Sequence, residues 1–181
     1  MEIVRKFRRA FHKFYDTPTG YARFLGVSIG RGSTIGKGVI WPTEPYLITI
    51  GNNVQVTNGV RFHTHGGGHA IRHLYPDFDC FGKVVVGDRS YIGAGSHIMP
   101  GVTIGEGTLV GAGSIVTKST PPNSVVGGNP ARVICSIQEY IERNKEYNVS
   151  TKGLNQEEKK KFLQGLQDNK FINKGTLKAI E

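Results

Sequence analysis

Through the middle of the chain an aliphatic residue returns at every sixth position: Ile29 and Ile35, Ile50 and Val56, then Val86, Ile92, Ile98, Ile104 and Val110, fading at Val116. That spacing cannot form a stripe on an α-helix, whereas β-branched residues at a fixed offset suit short strands joined by tight corners. The fourth position of each repeat marks the corner. Gly32, Gly38, Asn53, Gly59, Gly95, Gly101, Gly107 and Gly113 occupy it, and Gly and Asn enter a positive-φ backbone most readily. Arg89 breaks this column and is predicted to hold a left-handed backbone or an altered turn. Short strands, a corner each and an inward Ile or Val build an all-β parallel solenoid around a continuous aliphatic column. A β-sandwich would need longer alternating strands and less regular turns.

The ends follow a different rhythm. Ile3, Val4, Phe7, Phe11, Phe14 and Tyr15 share one helical stripe opposite Arg5, Lys6, Arg8, Arg9 and Lys13. Such a basic amphipathic helix suits a cap on the open end of the solenoid, with contact of residues 1–15 to anionic lipid as the alternative. Beyond Pro130, residues Val133, Ile134, Ile137, Tyr140 and Ile141 space like a second helix face, which would take the chain away from the repeats. Asn155 and Glu158 then predict a helix start near residue 156, on a tail expected to pack against the solenoid. The organisation expected is a cap over residues 1–25, a solenoid over 26–134 with an inserted loop at 66–79, and a helical extension over 135–181.

Composition narrows the class. A chain of 181 residues with 25 glycines but only 8 prolines and no Gly-X-Y period is neither collagenous nor disordered. Cys80 and Cys135 lie far apart without metal-knuckle spacing, as expected of reduced thiols in a cytoplasmic protein. The stretch after Arg8 and Arg9 is broken by His12, Lys13 and Asp16, so a secretory leader is not expected, and no uninterrupted run of roughly 18 apolar residues occurs to predict a membrane span. The net charge of +9 favours phosphate-bearing or otherwise acidic partners. No helix-turn-helix, zinc finger or aromatic RNA-binding pattern accompanies it, which argues against nucleic acid.

The repeats are interrupted between Phe62 and Cys80 by a segment rich in histidine and glycine, holding His63, His65, His69 and His73 with Gly66, Gly67 and Gly68. Insertions in solenoids commonly carry function. A histidine there can act as a general base for acyl transfer to a hydroxyl, with backbone amides stabilising the oxyanion, or it can ligate a metal. For His69 and His73 a solvent-facing loop position is the simpler reading.

Taken together, the six-residue repeats over residues 26–134 resemble the hexapeptide-repeat proteins, whose fold is a left-handed β-helix and whose usual assembly is a homotrimer. Thr64-His65-Gly66-Gly67-Gly68, then Arg72 and Gly82-Lys83-Val84, are similar to the capsular and lipopolysaccharide-type sugar O-acetyltransferases. That resemblance implies His65 as the catalytic base, with Asn58, His63, Gly66, Gly67 and Arg72 around the acceptor. Gly66 stands where the family pattern has Asp, leaving Asp77, Asp79 or a backbone carbonyl to orient the imidazole. The stretch from Gly111 to Lys118, followed by Pro121 to Ile134, is similar to the end of coenzyme A-dependent hexapeptide acetyltransferases. It implies acetyl-coenzyme A as donor, with Ala94 and Ala112 along the pantetheine arm, Tyr91 as an aromatic wall, and Thr117, Lys118 and Arg132 at the nucleotide end.

The function implied is acetyl transfer from acetyl-coenzyme A to a hydroxyl of a sugar or cell-surface polysaccharide precursor, without a covalent enzyme intermediate and without a metal. Cys80 is then incidental. The rival is a γ-carbonic-anhydrase-like zinc enzyme using ligands from His63, His65, His69, His73 and His97. Serine, antibiotic or amino-sugar acceptors would suit the same base and donor, and a scaffold without activity would have no need of the His65 loop.

Overall fold

The computed structural model describes residues 7–8, 10–13 and 16–176. Much of the N-terminal stripe, namely Ile3, Val4, Phe14 and Tyr15 with Arg5, Lys6 and Arg9, lies outside the described residues. The chain divides into two compact units, Met1–Ile137 and Gln138–Glu181.

In the first unit the repeats become short strands dealt in rotation to three sheets. Sheet A holds β1 (Ser28–Ile29), β3 (Ile48–Ile50), β6 (Val84–Val86) and β9 (Thr103–Ile104). Sheet B holds β2 (Thr34–Ile35), β4 (Gln55–Val56), β7 (Tyr91–Ile92), β10 (Leu109–Val110), β12 (Ser124–Gly128) and β13 (Ala131–Ser136). Sheet C holds β5 (Arg61–Phe62), β8 (His97–Ile98) and β11 (Ile115–Val116), and the bridge between Ile40 and Arg61 extends it to the first coil. The solenoid pairings are parallel. Val85 faces Thr103, Tyr91 faces Leu109 and His97 faces Ile115, so one turn of the coil consumes 18 residues, three repeats.

The first repeat position points inward: Ile50, Val56, Val86, Ile92, Ile98, Ile104, Val110 and Val116 are each 1% exposed or less. Every fourth-position Gly or Asn has positive φ, and Arg89 joins them at φ 55°. Small hydroxyls fill the corners, where Ser33, Ser90, Ser96 and Thr108 donate to carbonyls of the next coil. These bonds satisfy polar atoms that would otherwise be buried unpaired. After Ile50, Val86, Ile92, Ile104 and Val110 the next residue is glycine, which permits the coils to approach: a Cβ on Gly93 would lie 2.5 Å from the Ala112 nitrogen.

Helix α1 (Pro18–Phe24), capped by Thr17 and begun with proline, buries Ala22 in the core. Thr19 Oγ1 accepts a hydrogen bond from the Ile35 amide, which ties α1 to the first coil. His12 stacks on Phe24 at 3.8 Å between ring centroids. At the other end the structure corrects the expected helix face: Val133 and Ile134 lie in β13, antiparallel to β12, and helix α2 (Ile137–Asn144) begins only afterwards. The outer edge of β12 offers unpaired backbone groups, and pairing them outweighs a weak helical spacing. In the second unit Asn155 and Glu158 form a capping box at the start of α3 (Gln156–Gln164).

Candidate active site

Two insertions interrupt the coil at the same corner. Ile35 and Ile50 are 15 positions apart where two repeats would need 12, so three residues are inserted as the first coil passes from sheet C to sheet A. The loop after Phe62 leaves the second coil at that same corner. Because successive coils stack at about 4.8 Å, side chains from the two insertions meet. Glu44, from the first, accepts from His65 Nδ1 at 2.7 Å and from the buried Thr64 hydroxyl at 2.9 Å, both on Oε2. Thr43 donates to its Oε1 at 2.6 Å. The Thr43 hydrogen bond is the main cause that holds the Glu44 carboxyl below its ordinary range; burial opposes it, and the smaller contributions of Thr64 and His65 add to it.

The histidine loop is closed at its base. The Gly82 amide donates to the Thr64 carbonyl at 2.7 Å, and His65 bridges Phe81 in antiparallel fashion, with the Phe81 ring against the imidazole edge. Fixed by Glu44, by the loop base and by Phe81, the ring still keeps 40% of its side chain exposed. The hydrogen bond from Nδ1 to a carboxylate assigns the tautomer and leaves Nε2 as the basic nitrogen. Neither Asp77 nor Asp79 orients this histidine; Asp79 instead lies 3.9 Å from Arg72, whose Nε also donates to the Phe78 carbonyl. Glu44 is the residue that sequence reasoning missed, and the three-residue excess before Ile50 was the signal for it.

The other candidate residues distribute around sheet C. Gly66 and Gly67 are open, with nothing within 4 Å of a built Cβ. His63 Nε2 lies 3.2 Å from His97 Nδ1, the two rings stacked. Burial, then His97, Arg61 and His65, push the His63 imidazole below its ordinary value. Asn58 sits at the opposite edge of sheet C, where its Oδ1 accepts from the Lys37 amide, and with Ala94 it lines a shallow groove of about 290 Å³. The Ala112-bearing corner packs directly on this edge, since the Gly113 amide donates to the Ala94 carbonyl. Thr117 and Lys118 leave β11 at the edge that carries His65, two coils further on. Tyr91 and Arg132 belong to sheet B, on β7 and β13. Ala94 and Ala112 therefore flank sheet C on one edge and Thr117 and Lys118 on the other, while Tyr91 and Arg132 lie on sheet B, so the expected donor residues are spread over the surface of the described residues. His69 and His73 are exposed, and among the described residues no three His, Cys, Asp or Glu side chains are arranged to hold a metal ion. Cys80 is exposed and Cys135 buried, both as free thiols.

A stacked-corner dyad on a six-residue solenoid defines a class. Residues 83–118 match the family described as bacterial transferase hexapeptide (six repeats). The chain is 48% identical to Protein CapG of Staphylococcus aureus over 150 residues, 78% of this chain and 84% of that protein. It belongs to the hexapeptide-repeat transferase family and is an acetyltransferase. Among solved structures, a hexapeptide-repeat-containing acetyltransferase of Vibrio cholerae, complexed with acetyl-coenzyme A, superposes with a TM-score of 0.57 at 32% identity, covering 61% of this chain and 60% of that one. A maltose O-acetyltransferase of Clostridium difficile gives 0.59 at 28% identity, covering 75% and 84%.

Proposed function

We propose that this protein transfers the acetyl group of acetyl-coenzyme A to a hydroxyl of a sugar or cell-surface polysaccharide precursor, with His65 as general base and Glu44 as its orienting carboxylate. The observation that carries the reading is the 2.7 Å bond from His65 Nδ1 to Glu44 Oε2, which presents Nε2 as a base at the mouth of an open glycine-bearing loop. Donor use is supported by the acetyl-coenzyme A complex of the Vibrio protein, and a sugar hydroxyl by the maltose O-acetyltransferase. Exposed Lys118 and Arg132 suit the donor's phosphates, and the exposed corners at Ala94 and Ala112 admit a narrow arm along the backbone.

In the reaction, the acceptor hydroxyl gives its proton to His65 Nε2 as its oxygen attacks the thioester carbonyl. The new ester C–O bond forms, the C–S bond breaks, and His65 returns the proton to the departing thiolate. Glu44 stabilises the imidazolium in between. The division of donor residues between two edges of sheet C supports a site completed by a neighbouring copy, hence a homotrimer of left-handed prisms. The test is calorimetric titration of metal-stripped protein with acetyl-coenzyme A, followed by thiol release with sugar acceptors. Saturable binding weakened in a Lys118→Ala, Arg132→Ala variant, together with His65→Ala that binds donor but does not turn over, is expected. Absence of binding, or full turnover by His65→Ala, overturns the reading.

A further inference from the structure

Phe81 has no part in the reaction as drawn, yet its ring is held against the base. The centroids of the Phe81 and His65 rings lie 5.6 Å apart at an interplanar angle of 61°, and 52% of Phe81 is exposed. A single exposed aromatic residue is ordinary on a protein surface; one fixed beside a general base stands where the acceptor has to come. The chain holds it there by its backbone. His65 bridges Phe81 in antiparallel fashion, and the following amide, that of Gly82, donates to the Thr64 carbonyl. Gly82 also packs on the backbone of Pro100 and Gly101 in the next coil, so closely that a Cβ there would overlap it. Glu44 reaches His65 from the preceding coil and takes Nδ1, which turns Nε2 away from that coil. Gly66 and Gly67, which follow His65, leave the space beside the base open.

We propose that Phe81 is an acceptor-binding residue, an apolar platform that packs against the C–H face of the sugar ring whose hydroxyl is acetylated. The inference rests on the sugar-acceptor reading above and names one element of its specificity. The reaction itself brings the acceptor within reach. A hydroxyl hydrogen-bonded to Nε2 stands about 4 Å from the centre of the imidazole, and so no more than about 10 Å from the centre of the Phe81 ring. A pyranose ring with its substituents fills that gap. This holds wherever the donor enters and whichever copy of the chain supplies it, since the acceptor oxygen meets His65 in either case. A pyranose is polar around its rim and apolar on the faces where its axial C–H bonds project, and a phenyl ring offers a matching flat surface with no hydroxyl to satisfy. An open-chain polyol carries the same kind of hydroxyl but no such face, so the platform selects for rings.

The experiment measures kcat/KM by thiol release at saturating acetyl-coenzyme A with two acceptor probes, methyl β-D-glucopyranoside and glycerol. The proteins are wild type, Phe81→Ala, Phe81→Trp and His65→Ala. Phe81→Ala is expected to lower kcat/KM for the pyranoside about 10-fold, the share of one aromatic contact, chiefly through KM, and to lower that for glycerol by no more than about twofold. Phe81→Trp, which keeps a flat ring, should recover most of the pyranoside value. An equal fall with both probes, or a fall in kcat alone, would assign Phe81 to the packing of His65 and overturn the proposal, as would an unchanged pyranoside value in Phe81→Ala. If wild type releases thiol with the pyranoside no faster than His65→Ala does, the sugar-acceptor reading has failed and the platform falls with it.

Discussion

Exchange of Glu44 for glutamine tests the dyad with the least disturbance. The amide keeps the shape of the carboxylate. Its oxygen at the Oε2 position can still accept from Thr64 and His65, and Thr43 can turn its hydroxyl to accept from the new NH2 group. What is lost is the negative charge 2.7 Å from His65 Nδ1, and with it the stabilisation of the imidazolium that forms as the acceptor loses its proton. General-base catalysis contributes roughly 10²–10⁴-fold in rate, and an orienting carboxylate supplies part of that. Here the His65 side chain is 40% exposed and Glu44 17%, so water screens the pair far more than in a closed catalytic triad.

The expected loss is therefore about 10- to 100-fold in kcat, with acetyl-coenzyme A affinity unchanged because Glu44 faces the base and not the donor. Thiol release at saturating donor and acceptor reads the first quantity, and calorimetry the second. Asp79→Asn serves as the control and should behave as wild type, since its carboxylate faces Arg72. A Glu44→Gln enzyme with kcat within twofold of wild type, or one that loses donor affinity in proportion to rate, would refute the role assigned to this carboxylate.

Three other outcomes follow from local geometry. Arg89 holds φ 55° at a corner where its neighbours are Gly or Asn, and its pair with Glu106 is exposed, so Arg89→Gly should raise stability by about 0.5–1 kcal/mol in urea unfolding; a loss of that size would contradict the strain argument. Gly93→Ala should cost about 3 kcal/mol because its Cβ meets backbone of the next coil at 2.5 Å, while Gly66→Ala, in open space, should be neutral, and equal melting temperatures for the two would refute the packing account. The His63 pKa is lower in the folded state, so the unfolded chain takes up the proton first as pH falls; stability is fully present above about 6.5 and declines below it. Thermal unfolding between pH 7.5 and 5.5 should show that decline reduced in His63→Ile, and an identical decline would count against it.

The six-residue period made the core legible because each inward Ile or Val and each positive-φ corner is a local requirement that the chain must meet at a fixed offset. Arg89 was legible for the same reason, as the one non-Gly, non-Asn residue in a column of corners. The end of the solenoid was not. Val133, Ile134 and Ile137 share a helical spacing, but whether residues 131–136 join a sheet depends on the open edge of β12, which no periodicity within that stretch reports. The site was half legible: the histidine loop announces itself, whereas its carboxylate partner lies 21 residues earlier and is found only by counting coils. A search near the loop finds Asp77 and Asp79, which are close in sequence but do not reach the imidazole. His63 and His97 are 34 residues apart for a related reason, since the loop lengthens their coil without altering the register above it.

A solenoid built this way separates the construction of its site from the stability of its core. The inward residue of each repeat is supplied by strands, and an insertion at a corner adds chain without displacing any of them, because the coil resumes in register once Gly82 pairs back to Thr64. Two insertions at the same corner of adjacent coils then bring their first turns to about one strand spacing, enough for a carboxylate from one to reach an imidazole from the other. The three-residue insertion delivers Glu44 just after Trp41, which stacks on Phe62 at 5.1 Å; the longer one delivers His65 and carries the open glycines outward. On this construction His65 and Glu44 are held by backbone pairing on stacked coils, while the exposed remainder of the longer loop is free to vary at little cost in stability.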